Sequence, residues 1–247
     1  MTYEVERDFL KEYVRDRVDF STTDQVMGIE MPPIEKEVPA GVQLIKLPEP
    51  SEELEKKNSL LDLVKNRASR RKFDGTPINL DELSYLLYVT YGVRDSKVPS
   101  RVLRTAPSAG NRHSIETTII VLNVKGLDPG IYRYKALDHA IYKVSSPKEL
   151  ISKVSNALRK QVFAINSAVI FVWSTIPYRT EWRYKEAAHK VIAVDAGHVA
   201  ENLYLACEAL ELGTCGIGAY DQDLIDELIQ VDGVEEFSIY MCPVGKY

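Results

Sequence analysis

One segment narrows the folds open to this chain more than any other. Between residues 186 and 212 the side chains of Ala188, Ile192, Val199, Leu203, Ala206 and Leu210 recur at the spacing of one face of a long α-helix. The Ala-rich and Leu-rich surfaces of such a helix can be buried on more than one side, as in a bundle core or a dimer interface. The pattern stops at Gly213, and Gly216 and Gly218 follow in ALELGTCGIGAYD. A Rossmann fingerprint opens a helix after a strand, whereas this glycine stretch closes one. No Walker loop occurs either.

The rest of the chain supplies the partners of that helix. IETTIIVLNV (115–124), SAVIFVWST (167–175) and FSIYMCPVG (237–245) are rich in β-branched and aromatic residues and read as strands. LDPGIYRYKALDHAIYKV reads as a hairpin, two tyrosine-rich runs around Leu137-Asp138-His139 after a Pro-Gly turn. Ser59 to Asn66 begins a helix with Leu60, Leu61, Leu63 and Val64 as its apolar positions. Asn79 caps another, which ends at Gly92. Strands and helices without regular βαβ alternation point to an α+β fold. Residues 1–57 read as an extension: a charged amphipathic helix from Tyr3 to Val18, then an arm whose prolines at 32, 33, 39, 48 and 50 forbid a long helix. Within it GVQLIKL can lie as a strand against the body, since a floppy tail would leave Val42, Leu44, Ile45 and Leu47 exposed. The globular pattern runs over 58–247.

Charge and cysteine usage exclude several function classes. The 247 residues carry a net charge of −5, which leaves no electrostatic footprint for nucleic acid. No apolar run approaches the roughly 18 residues of a membrane span. The beginning, MTYEVERDFLKEYVRDR, is too charged for a secretory signal. Cys207, Cys215 and Cys242 are odd in number, which argues against a disulfide framework and fits a cytoplasmic protein with reduced thiols. His189 and His198 are not at the four-residue spacing that would put them on one helical face, so no metal site is expected.

Three segments could carry chemistry. In RASRRKFDG, Arg67, Arg70, Arg71 and Lys72 surround Ser69; clustered guanidinium groups and a hydroxyl suit a phosphate, although such a run alone is more often a solvated surface. In RTAPSAGNRHSIE, Pro107, Ser108, Ala109, Gly110 and Asn111 are small or turn-forming, so a flat ligand could approach the backbone, or the loop could merely precede a strand. In ALELGTCGIGAYD the glycines either expose N–H groups to a ligand edge or form a helix C-cap and turn.

In this order and spacing the three segments resemble the nitroreductase-like FMN flavoproteins. The resemblance covers about residues 58–247 and is closest to the SagB-type dehydrogenase branch, whose best-understood members oxidise azolines in modified peptides. LDPGIYRY and the terminal PVGK are similar to that branch as well. The resemblance implies an α+β fold with a central mixed or antiparallel sheet flanked by helices, a long interface helix, and two sites shared between the subunits of a homodimer. It implies that Arg67, Ala68, Ser69 and Arg71 hold the phosphate and ribityl chain of FMN, with Lys246 reaching the phosphate. Pro107, Ser108, Ala109 and Asn111 would touch the flavin from the other subunit, and Gly216, Ile217, Gly218 and Ala219 would pack against its ring. Ala68 departs from the pattern, because the family often has a second Arg or a His there. The azoline-oxidising members carry a Lys-Tyr pair near the start of the long helix, where this chain has Arg183-Tyr184 followed by Lys185. An Arg keeps its proton and would serve as an anion clamp instead of a base, which leaves Tyr184 and Lys185 as the catalytic candidates. The expected activity is therefore NADH- or NADPH-dependent reduction of small nitro compounds, quinones or enones. The alternatives are azoline oxidation and flavin binding without turnover.

Overall fold

The computed structural model describes residues 3–98 and 101–247. The N-terminal segment forms two short helices, α1 (Glu4–Leu10) and α2 (Val14–Arg17), neither of which buries a residue. The single helix expected from Tyr3 to Val18 is broken at Lys11, whose backbone is extended. Val5, Phe9, Leu10 and Tyr13 all remain exposed, so tertiary packing does not hold the pieces in one helix. The arm then supplies β1 (Leu44–Lys46), and Leu47 after it is buried in the core. Next comes α3 (Leu60–Asn66), where the Ser59 hydroxyl accepts the N–H of Asp62. In α4 (Leu80–Tyr91), Asn79 and Glu82 form a reciprocal capping box with bonds of 2.8 and 2.7 Å, and Gly92 ends the helix as expected.

A hairpin of β2 (Val93–Val98) and β3 (Arg101–Arg104) precedes the central strands β4 (Ile115–Val121), β5 (Gly130–Lys135) and β6 (Ala140–Ser145). Two helices, α5 (Leu150–Ala157) and α6 (Val162–Ile165), lead into β7 (Val169–Thr175). Then follow α7 (Tyr178–Tyr184), the 22-residue α8 (Ala188–Ala209), β8 (Gly213–Thr214), α9 (Gln222–Ile229) and β9 (Phe237–Gly245). Seven strands form one sheet in the order β1-β6-β5-β4-β7-β9-β8, and every pairing in it is antiparallel.

Both faces of the sheet are covered, which is why β4 and β7 are buried along their whole length. On one face α4 and α8 pack on Ile119, Val121, Phe171 and Trp173; on the other α5 and α9 pack on Ile120, Ile170, Val172 and Met241. The apolar stripe of α8 is spent on its own sheet, since Ile192, Val199, Leu203 and Ala206 are all buried. Val194 on the opposite side is 49% exposed, and Leu60, Leu61 and Val64 of α3 are 67%, 61% and 56% exposed. The apolar positions of α3 thus depart from the pattern of a helix buried against its own body. No helix among the described residues is long and apolar enough to cross a membrane.

Candidate functional site

The C-terminal half of α8 organises one corner of the molecule. Tyr204 and Glu208 are four residues apart and so share a face of the helix. The Tyr204 hydroxyl lies 3.0 Å from the Ser69 hydroxyl and accepts the N–H of Gly216 at 2.7 Å. One phenol therefore joins the arginine segment to the glycine loop. A second tie is made by backbone, as the N–H of Arg70 donates to the carbonyl of Thr214 at 2.9 Å. Arg67 stacks on the Tyr204 ring, 5.2 Å from its centroid.

The four cations of the segment divide their work. Arg70 donates to the buried Glu208 at 2.7 Å and stacks on the Tyr247 ring, while Lys57 donates to the other oxygen of Glu208 at 2.8 Å. Burial pushes the Glu208 carboxyl up, but the hydrogen bonds from Lys57 and Arg70 outweigh it and hold the pKa below the ordinary value. Arg70 is thus a structural cation. Arg71 and Lys72 are exposed, and among the described residues no carboxylate lies within ion-pair distance of Arg67, Arg71 or Lys72. Arg71 and Lys72 line a shallow pocket of about 480 Å³ with Phe73 and Tyr247. Lys246 follows β9 and stands 3.7 Å from Glu82, the residue that closes the cap of α4.

In the glycine loop each position has its own reason. A Cβ on Gly216 would collide with the Tyr240 hydroxyl, so no side chain fits there. Ile217 is buried and its N–H donates to the Met241 carbonyl at 2.8 Å. Gly218 faces open space and Ala219 is exposed; the Ala219 carbonyl accepts from the Gln161 amide. Among the described residues the N–H groups of Gly218 and Ala219 donate to no protein acceptor.

The N-terminal half of α8 organises a second corner. Asp195 is buried, and both its oxygens accept the N–H of Ala109, at 3.1 and 3.3 Å. Burial raises its pKa against the opposing hydrogen bonds from Ser108 and Ala109. Pro107 is exposed, and the Ser108 hydroxyl accepts the N–H of His113 at 2.9 Å. Gly110 and Asn111 both have left-handed backbone, φ 59° and 58°. The Nε2 of His113 lies 2.8 Å from both the Val102 carbonyl and Asn111 Oδ1, so Nε2–H is the donor and Nδ1 accepts from the Tyr91 hydroxyl. Burial, aided by the charge of Arg104, drives the His113 pKa down to about 3 and keeps the ring neutral.

Tyr184 and Lys185 sit at this second corner, at the end of α7. A Cβ on Gly110 would collide with the Tyr184 hydroxyl and with Arg183 Cδ, so the loop glycine makes room for both side chains. Lys185 adopts φ 48°, and its Nζ donates to the Thr22 hydroxyl of the arm at 2.6 Å. The arm grips α7 at three further points: Gln25 N–H to the Trp182 carbonyl at 3.0 Å, Trp182 Nε1 to the Ile29 carbonyl at 3.0 Å, and the Tyr178 hydroxyl to Asp24 at 2.8 Å.

Tyr204 and Asp195 are nine residues apart on one helix, about 13 Å along its axis. Arg67, Ser69, Arg71, Lys246 and the glycine loop gather at one end of α8. Pro107, Ser108, Ala109, Asn111, Tyr184 and Lys185 gather at the other. Tyr204 and Asp195 were not legible as residues of these corners; the available signal was polar side chains interrupting the apolar face of a long helix.

An antiparallel sheet with the long helix on one face, and the three loops at the ends of that helix, define the class. Residues 64–246 match the family model described as the Nitroreductase family. The chain belongs to that family. A nitroreductase-family protein of Methanocaldococcus jannaschii is 31% identical over 187 residues, 76% of this chain and 90% of its own. A family protein of Anabaena variabilis is 25% identical with a TM-score of 0.70; the match covers 84% of this chain and spans 42% of that one. A Desulfovibrio desulfuricans family protein, solved in complex with FMN, shares the fold at 15% identity and a TM-score of 0.52, over 76% of this chain and 86% of that one.

Proposed function

We propose that the protein is an FMN-dependent oxidoreductase that reduces small acceptors, such as nitro compounds, quinones or enones, with NADH or NADPH. Residues 58–247 are the flavin-binding domain and residues 1–57 an arm laid across it. The observation that carries this reading is the Tyr204 hydroxyl, which holds Ser69 and Gly216 together. The donor set fits the cofactor: among the described residues Arg67 and Arg71 are cations without a carboxylate partner, Ser69 is a hydroxyl beside them, and the N–H groups of Gly218 and Ala219 donate to no protein acceptor. The FMN of the Desulfovibrio relative supports the same assignment.

Arg67, Ser69 and Arg71 would take the phosphate, with Lys246 near it, Ala68 lending only backbone, and Gly216, Ile217, Gly218 and Ala219 lying along the ring. The flavin, when bound, supplies the two-electron chemistry. Pro107, Ser108, Ala109 and Asn111 would close the same site from a second subunit. The separation of the two corners on α8 and the exposed apolar side chains of α3 and α8 support this division. Tyr184 Oη, held against Gly110, is the hydroxyl available to hydrogen-bond an acceptor. Lys185 is turned to Thr22 of the arm and is a weaker candidate for direct contact. We place this chemistry in the cytoplasm.

Azoline oxidation is the second reading, because Tyr184 occupies the position that the SagB-type resemblance assigns to its tyrosine. Removing a carbon-bound proton needs a base, and Arg183 retains its proton. The test is an absorption spectrum of the purified protein with mass analysis of its released ligand. FMN bands bleached by NADH or NADPH support the reductase. FMN bands that resist both but bleach with a thiazoline peptide support the oxidase. A protein that takes up no FMN overturns both.

A further inference from the structure

Among the described residues, not every cation around Tyr184 is paired with an acid. Arg15 and Arg183 flank its ring, with guanidinium carbons 5.7 and 5.5 Å from the centroid. Arg112 is buried behind them; it stacks on Trp182 and donates to the carbonyls of Gly110 and Asn111 at 3.2 Å. The nearby acids are already engaged: Glu12 pairs with Arg15 and Lys190, and Glu181 with His189. Lys185 adds a further cation on Thr22. Among the described residues no carboxylate lies within ion-pair distance of Arg112 or Arg183. Burial lowers the Arg112 pKa, and the nearby charge of Arg183 lowers it further.

A pocket of about 280 Å³ opens at this point, lined by Arg15, Phe20, Thr23, Gln25, Arg183 and Tyr184. A cavity of about 150 Å³ already admits a benzene ring. Phe20 and Tyr184 offer aromatic surface, and Arg183 offers a planar fork suited to a carboxylate. The arm contributes one wall and the segment after β7 the other.

We propose that Arg183, backed by Arg112, forms an anion subsite beside Tyr184, and that the preferred acceptor is a flat molecule bearing a carboxylate. This rests on the reductase reading above and names its substrate class. The same chemistry could receive a phosphate of the nicotinamide nucleotide, which the test separates.

FMN-loaded wild type, Arg183→Gln and Arg183→Lys are assayed with 4-nitrobenzoate and its neutral match 4-nitrobenzamide, and benzoate binding is measured by calorimetry without turnover. The subsite predicts that Arg183→Gln weakens benzoate binding and raises KM for 4-nitrobenzoate by roughly tenfold or more, the loss of one charge-assisted contact. KM for 4-nitrobenzamide and for NADH or NADPH changes far less than KM for 4-nitrobenzoate, and Arg183→Lys recovers part of the loss. Equal effects on the acid and the amide, or a change confined to the nucleotide, overturn the subsite while leaving the reductase reading intact. Charge-dependent benzoate binding with no reduction of either nitro compound keeps the subsite and overturns the reductase reading.

Discussion

The two ends of α8 differ in how their charges are settled. At the C-terminal end Glu208 pairs with both Arg70 and Lys57, and the Tyr204 hydroxyl ties the two loops together. At the N-terminal end Asp195 spends itself on a backbone N–H, while among the described residues Arg112 and Arg183 have no carboxylate within ion-pair distance. The first corner is a finished scaffold that leaves selected donors free, as a site for a resident group requires. The second is held open, as a site for a passing molecule requires. A cation run in sequence therefore says little until its partners are known. Arg70 and Arg71 are adjacent, yet one is a strut and the other has no carboxylate partner among the described residues.

The largest effect that would break this division is a charge in the apolar surface through which two copies would meet. Val194→Asp is suited to it, because Ala206 on the same helix is buried inside its own protomer and a charge there would unfold the chain instead. An unpaired charge buried at the interface costs about 3–5 kcal/mol. Sedimentation should show a monomer, and flavin content should fall with it; a monomer with full FMN would separate the site from the dimer.

Next in size is Arg71→Ala, which would remove the proposed phosphate contact, worth on the order of 1.5–3 kcal/mol. Titration of apo-protein with FMN should show that loss, whereas Arg94→Ala, whose guanidinium serves the Arg104 carbonyl, should leave affinity unchanged.

A pH effect sharpens the second corner. His113 has a folded pKa of about 3, below the ordinary 6.5. A depressed pKa contributes stability that is present above about pH 6.5 and lost as pH falls toward 3, because only the unfolded chain takes the proton. Between pH 7.5 and pH 5 the loss should be ~2 kcal/mol by denaturant midpoint. His113→Gln should flatten that slope; an unchanged slope would show that the ring is not held neutral.

The smallest effect is Tyr204→Phe. Losing the links to Ser69 and Gly216 should cost about 0.5–1.5 kcal/mol of FMN affinity with little change in fold stability. A loss of stability without a loss of affinity would make Tyr204 a strut like Glu208.

Much of the fold was legible because local chemistry and burial agree. Ile115–Val121 and Val169–Thr175 are β-branched and buried on both faces, and Asn79 with Glu82 forms the cap that their spacing implies. The β2–β3 hairpin gave no comparable signal, since VRDSKV is polar at most positions, although Val93 at its start packs against the core. The break in the Tyr3 to Val18 helix was invisible for the opposite reason: its pattern is helical, but nothing packs against it. At the site, motif positions could be read in order along the chain. Which end of α8 each would occupy could not, because that depends on long-range contacts such as Ser69 to Tyr204 and Ala109 to Asp195.

The central claim is that one flavin is held by the arginine segment of one chain and the proline-serine loop of another. Mixing subunits tests it directly. Arg71→Ala breaks the first corner, and Gly110→Val breaks the second by driving a side chain into Tyr184. Neither variant alone should hold FMN well. If the site is shared, a refolded equal mixture contains hybrid dimers with one intact site, and FMN should return to about a quarter of all sites at random pairing. A mixture that binds no more FMN than its two parents would contradict the account, since a site built within one chain stays broken in every pairing.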